Sequence, residues 1–237
     1  MRLHVVGCSP AWPNPGGAQS GYLLEEDGRL LLLDCGPGVL ARLREREPWP
    51  RVDAIAVTHL HLDHWGDLVP WAYGALYGAG RGVPAPALWL PPGGVDELRT
   101  LARIGAEAVL QVFELHEYAE GERFLAAGFE LTPLPTEHYG EASFGFRVAG
   151  NESVLAYSAD SGPSERLAEL GRDADLFLLE ATLAETERGT RGHLTDAEAL
   201  ETFRAAGARR LLVIHRPDEL PLPDGVERAR DGLEVDL

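Results

Sequence analysis

The chain has 237 residues, of which 45% are hydrophobic, and a formal net charge of −17. That length buries one sizeable core, so a single domain is expected over residues 1–237, and so much negative charge disfavours long nucleic acid as a partner. No stretch approaches the roughly 18 apolar residues of a membrane span, and the N-terminus enters a strand-like MRLHVVG without a signal-peptide pattern, which implies a cytoplasmic protein.

Strand-like and helix-like segments alternate along the chain without internal repeats or low-complexity linkers. Alternation predicts a first strand over 3–7, with His4 facing solvent or a neighbouring strand. Cys8 and Cys35, the two cysteines, lack CxxC spacing and are too few for a disulfide framework, so both are expected to be reduced, partly buried small hydrophobes. Strands at 21–25 and 29–34 precede a helix at 38–46, whose Arg42, Arg44 and Arg46 read as a solvated face, as do Arg209 and Arg210 later. All 21 basic residues are Arg, a usage that heat adaptation and a GC-rich genome explain equally well. A strand at 52–57 runs straight into Thr58–His64, THLHLDH, and a helix is expected over 67–79. Trp65, Trp71, Tyr73 and Tyr77 sit there at helical spacing and read as core; any that faced the histidines would be placed to stack a nucleobase. Next come a strand at 86–90, a helix at 94–104, a strand at 109–114, and His116 as a surface residue amid Glu114, Glu117 and Glu120. Strands follow at 129–135, 144–149 and 153–158, then a helix at 164–170, a strand at 175–180, a helix at 195–206 and a strand at 210–214. Thr195 with Glu198 three residues on makes a capping box, which puts His193 just before a helix N-terminus. Two blocks of strands, each closing with helices, suit two mixed sheets stacked between helical layers, with a site in the seam between them.

Three histidines and a carboxylate crowd positions 59–64. His59 and His61 are two apart, so on an extended chain both imidazoles leave one face and grip one ion. Gly66 and Asp67 mark a turn into helix that swings Asp63 and His64 towards a neighbouring position, a geometry suited to two metals. Of the other histidines among the eight, His138 ends LTPLPTEH, His193 lies in RGH and His215 ends LLVIH, all loop-like contexts where α/β proteins collect their chemistry. Asp160, in VLAYSADSG, adds a carboxylate at another strand end. The candidate donor set is therefore His59, His61, Asp63, His64, His138, Asp160 and His215.

This pattern resembles the metallo-β-lactamase fold superfamily, whose hallmark is HxHxDH followed in order by a separate His, a bridging Asp and a last His. The match runs from the first strand to His215. Within the superfamily the chain looks most like the ribonuclease Z group of phosphodiesterases, on GCSPAWPNPGGAQSGYLL, Asp34 in LLLDCGPG, Glu180 in LFLLEAT and GHLT at 192–195. One departure matters: a long flexible arm usually separates the third His from the bridging Asp in enzymes that process transfer RNA, whereas His138 and Asp160 are only 160 − 138 = 22 positions apart.

The resemblance implies an α/β four-layer αββα sandwich and two divalent ions, one held by His59, His61 and His138, the other by Asp63, His64 and His215, with Asp160 bridging. Zinc accepts such donors, and manganese or iron can replace it. A metal pair of this kind activates water for in-line displacement at phosphorus, with Asp63 orienting that water or taking its proton. By the same analogy Glu180 fixes His193 as a general acid for the departing alkoxide, and Asp34 supports the ligands through hydrogen bonds. The expected function is a dinuclear phosphodiesterase of small phosphodiesters or cyclic nucleotides. The alternatives are transfer-RNA 3′ processing, a lactone or thioester hydrolase, and a catalytically dead scaffold that keeps the fold. A homodimer is the family's expectation.

Overall fold

Residues 29–33 are leucine at four consecutive positions because the strand they form is buried on both faces. Leu31 and Leu33 enter a core between two sheets, while Leu32 turns the other way, towards helices. The same alternation recurs in residues 176–180: Leu176 and Leu178 join the central core, and Phe177 and Leu179 face a second helical layer.

The computed structural model describes residues 1–103 and 105–237. Its first half runs β1 (Arg2–Gly7), β2 (Gly21–Glu26), β3 (Arg29–Leu33), α1 (Val39–Leu43), β4 (Ala54–Ala56), α2 (Leu62–Trp65), α3 (Leu68–Tyr77), β5 (Ala87–Leu90), α4 (Gly94–Ala102), α5 (Ala106–Val112) and β6 (Glu114–Glu117). The second half runs β7 (Phe124–Ala126), β8 (Phe129–Pro135), β9 (Phe144–Ala149), β10 (Val154–Tyr157), α6 (Glu165–Leu170), β11 (Leu176–Glu180), α7 (Asp196–Ala206), β12 (Leu211–Ile214) and β13 (Glu234–Asp236). One sheet has the order β13-β1-β2-β3-β4-β5-β6 and the other β12-β11-β10-β9-β8-β7. Both are mixed: β3 to β6 and β10 to β12 pair in parallel, and the remaining neighbours are antiparallel. Helices α1, α3, α4 and α5 cover the first sheet and α6 and α7 the second, giving the four-layer αββα sandwich.

The observed elements depart from expectation at several places. Residues 109–114 do not form a strand; α5 occupies most of that run, and β6 starts only at Glu114. The apolar string AVLQVF reads as a strand, yet Ala106, Ala108 and Val109 are the buried positions of a helix, the first and last of them three apart on one face, packed so close to α3 that a Cβ on Gly105 would overlap Val69. The short helix α2 was not anticipated, so Asp63 and His64 sit in a helical turn rather than ahead of one. Among the four aromatics, Trp65 and Trp71 are core, but Tyr73 and Tyr77 are exposed and stack on each other at 6.3 Å.

The strands β7 and β13, unpredicted, are three residues each at or beside a sheet edge. The helix expected over 94–104 ends at Ala102, and position 104 lies outside the described residues. Thr195 forms the capping box with Glu198, so that α7 starts where expected. Cys8 and Cys35 are unpaired and buried, one in each of two core clusters, Cys35 completely. His4 is buried between neighbouring strands, with Glu25 of β2 at 3.3 Å and Glu234 of β13 at 3.1 Å. His116 is half-buried and stacks on Trp89 at 4.5 Å. No helix among the described residues is long and apolar enough to cross a membrane.

Candidate metal centre

Strands β3 and β4 are parallel, as are β10, β11 and β12, and β8 runs in the same direction as β10 because β9 is antiparallel to both. The segments that leave their carboxyl ends carry Asp34, His59 to His64, His138, Asp160, Glu180 and His215, where α/β sheets place their ligands. Three residues at these ends, Asp34, Ala159 and His215, have φ of +59°, +52° and +52°. Such left-handed backbone costs a non-glycine residue of order 1–3 kcal/mol, and its concentration here marks a site held against local preference.

The structure brings all seven candidate donors together. One donor atom from each of His59, His61 and His138 lies within 4.8 Å of the others, and Asp63, His64, Asp160 and His215 form a second group on the same criterion. Asp160 spans the two. Its Oδ2 faces His59 Nε2 at 4.0 Å and His138 Nε2 at 3.8 Å, while its Oδ1 faces His64 Nε2 at 3.4 Å and His215 Nε2 at 3.5 Å. Asp63 Oδ2 stands 3.2 Å from His215 Nε2 and 3.5 Å from His64 Nε2, and His61 Nδ1 stands 2.8 Å from His138 Nε2.

Partners behind the rings set which nitrogen faces inward. His64 Nδ1 donates to Asp34 at 2.7 Å and His138 Nδ1 to the Gly192 carbonyl at 2.8 Å. Thr58 gives its hydroxyl proton to Asp34 at 3.0 Å and accepts from His59 Nδ1 at 3.1 Å. Thr182 does the same between Glu180, at 2.8 Å, and His215 Nδ1, at 2.9 Å. Four imidazoles thus carry a proton on Nδ1 and turn Nε2 to the centre, the arrangement that orients metal-binding histidines.

The centre fits a cation. His59 Nε2, His64 Nε2 and Asp160 Oδ1 are buried and have no hydrogen-bond partner among the described residues, and each such orphan costs about 1–3 kcal/mol unless something binds it. Electrostatics point the same way. Burial alone would drive the proton from His64, but Asp160, Asp34 and Asp63 hold its pKa well above the ordinary value. Burial would also raise Asp160, yet His215 and His64 keep it well below the usual carboxylate range, and His64 with His215 does the same for Asp63. Desolvation lowers His59 and His138. Carboxylates this deep among imidazoles create a demand for positive charge that divalent ions would meet.

Asp34 is fully buried, and its Oδ2 alone accepts from His64, Thr58 and Tyr157, the last at 2.5 Å. Substituting Asp34→Asn replaces an acceptor with a donor in a cage of donors. The expected result is metal affinity lower by about 10–100-fold, read by competition with a chromophoric chelator. Unchanged affinity would show that Asp34 serves only the fold.

Glu180 is also fully buried, accepting from Ser161 N, Thr182 N and His193 Nδ1 at 3.0, 2.9 and 2.8 Å. His193 itself is half-buried; burial disfavours its charged form, but Glu180 outweighs that and holds its pKa up at about 9. A donor atom of His193 falls within 4.8 Å of one from His138 and one from Asp160, so this residue stands at the edge of the donor array. Sequence reasoning missed Tyr157, Thr58, Thr182 and the Gly192 carbonyl. Threonine hydroxyls and carbonyls carry no residue-type signature, and Tyr157 reaches Asp34 across 123 positions of chain.

Residues 29–216 match the model of the Beta-lactamase superfamily domain. The probable metallo-hydrolase YhfI of Bacillus subtilis is 28% identical over 224 residues, which cover 92% of this chain and 87% of that protein. The crystal structure of YhfI superposes with a TM-score of 0.85 at 24% identity over 99% of both chains. Ribonuclease Z of Salinibacter ruber is 29% identical over 290 residues, 96% of this chain and 89% of that enzyme. The Zn(2+)-bound PqqB of Methylobacterium extorquens has the same fold, with a TM-score of 0.82 at 19% identity over 100% of both chains.

Proposed function

The chain belongs to the β-lactamase superfamily and is a metallo-hydrolase, and from that premise we propose that it is a dinuclear phosphodiesterase of small phosphodiesters such as cyclic nucleotides. The observation that carries the reading is Asp160, whose two oxygens divide between two groups of inward-facing histidines while the Glu180-held His193 waits at the rim. His59, His61 and His138 would hold one ion and Asp63, His64 and His215 the other, with Asp160 shared. Zinc is the ion of choice, as in the related fold of PqqB, and the donor set also admits manganese or iron. When bound, such a pair supplies Lewis acidity and lowers the pKa of water for attack on phosphorus.

The chain's own residues do the rest. Asp63 carries a second oxygen with which to orient the attacking water or take its proton. Glu180, fixed by backbone N–H groups, keeps the Nδ1 proton of His193 in place and turns Nε2 outward, where it can protonate the departing alkoxide. We read residues 1–237 as one hydrolase unit. Kinship to ribonuclease Z raises transfer-RNA processing as the rival, but the chain from His138 to Asp160 is taken up by β9, β10 and their turns, with no long arm, and the charge of −17 opposes a polyanion.

The deciding experiment measures metal content together with hydrolysis of a panel: bis-nitrophenyl phosphate, 2′,3′- and 3′,5′-cyclic nucleotides and a precursor transfer RNA, with His61→Ala as control. The expected result is about two ions per chain and turnover of the small diesters that the variant loses. Cleavage of the RNA would move the assignment to transfer-RNA processing, and metal without any diester turnover would move it to lactones or thioesters.

A further inference from the structure

Resting on the reading of the site as a diesterase of small nucleotides, we infer that Tyr139 is its specificity-determining residue, a preorganised platform on which the substrate's base stacks. Tyr139 follows His138 directly, and its ring centroid lies 5.1 Å from that of His138 and 5.6 Å from that of His193. It nevertheless remains 42% exposed, so the ring borders both the donor array and solvent.

Four features lock it there. The ring is seated on Gly192, where any Cβ would overlap its carbons. The backbone N–H donates to the Arg191 carbonyl at 3.2 Å and the hydroxyl to Glu187 at 2.8 Å. The residue itself holds φ of +49°, a conformation that a tyrosine adopts only when its surroundings impose it. An exposed aromatic this constrained has already lost the side-chain freedom that stacking would otherwise consume, which is how rigid anchors gain affinity.

The surroundings say what the ring would meet. Leu62, exposed between the donors His61 and Asp63, adds apolar surface on the segment that carries the same centre. A cluster of metal donors bordered by the Tyr139 ring and Leu62 suits a ligand that is anionic at one end and flat at the other, as a nucleotide is. The guanidinium of Arg191, the residue whose carbonyl receives the Tyr139 N–H, is committed elsewhere, paired bidentately with Glu198 at 2.8 and 2.9 Å. Recognition of the base therefore falls to stacking, which every nucleobase satisfies and which is worth roughly tenfold or more in affinity per base.

The test is calorimetric binding to the zinc-loaded protein of adenosine 5′-monophosphate and ribose 5-phosphate, which share the phosphate and differ in the base. Wild type is expected to prefer the nucleotide by roughly tenfold, Tyr139→Phe to keep that margin, and Tyr139→Leu to abolish it while ribose 5-phosphate binds as before. Equal weakening of both ligands in Tyr139→Leu would assign the ring a structural role and overturn the inference, as would a wild-type protein with no preference. Diester turnover on the same samples reports separately on the underlying reading: a preference lost in Tyr139→Leu without hydrolysis of any diester would sink the diesterase and leave the platform standing.

Discussion

Substituting His193→Ala is expected to lower turnover of a phosphodiester with an alkoxide leaving group by about 10²–10⁴-fold, the usual weight of a positioned general acid, and to leave bis-nitrophenyl phosphate nearly untouched. The contrast follows from leaving-group basicity: nitrophenolate departs without a proton, whereas a ribose alkoxide does not. The structure gives His193 the means through Glu180, which is buried, fixed by backbone N–H groups and 2.8 Å from Nδ1. Glu180→Gln keeps the shape but removes the charge, so it should reproduce part of the loss on the same substrate. Metal content decides between two explanations, because a donor atom of His193 is also within 4.8 Å of donor atoms of His138 and Asp160. Equal losses on both leaving groups, accompanied by loss of an ion, would make His193 a ligand and remove the general acid from the mechanism.

How far the site was legible depended on residue type and spacing. His59, His61, Asp63 and His64 stand out because histidine is scarce, eight in the chain, and four donors in six positions have few structural reasons to occur. The dispersed His138, Asp160 and His215 were legible as strand ends, and the sheets do bring those ends to one edge. The division of Asp160 between two groups was not legible, since it depends on where two carboxylate oxygens point. Tyr139 gave no signal at all: its role rests on a glycine 53 positions on, by 192 − 139, that leaves room for the ring. In the fold, long buried strands such as β3 and β11 announced themselves through continuous apolar runs. The misreading at 109–114 came from β-branched and aromatic residues whose helix is stabilised by packing on α3, a tertiary effect that local propensity does not contain. The edge strand β13 is three residues long and pairs with β1 at the opposite end of the chain, too short and too remote for local patterning to reveal.

Asp160→Asn should be the most damaging single substitution in the centre. It preserves size and one carbonyl oxygen but removes the charge that both histidine groups face, so one oxygen is replaced by an N–H₂ that repels a cation. Bound metal is expected to fall from about two ions per chain to one or fewer, and turnover by about 10³-fold or more, since the second ion stabilises a displacement at phosphorus by several kcal/mol. Stability offers a readout independent of activity. An ion present at 100 times its Kd stabilises the folded state by about 2.7 kcal/mol, which for a chain of this size raises Tm by roughly 5–10 °C. Chelator-treated wild type, filling two sites, should therefore gain about twice that on adding zinc, roughly 10–20 °C, and Asp160→Asn no more than the single-ion gain. The comparison with His61→Ala locates the effect. His61 touches only the group formed with His59 and His138, so its loss should leave one ion in the other group, where Asp63, His64, Asp160 and His215 remain. If Asp160→Asn instead retained both ions and the full gain in Tm, the carboxylate would not be shared, and the two histidine groups would have to act as independent sites rather than as one dinuclear centre.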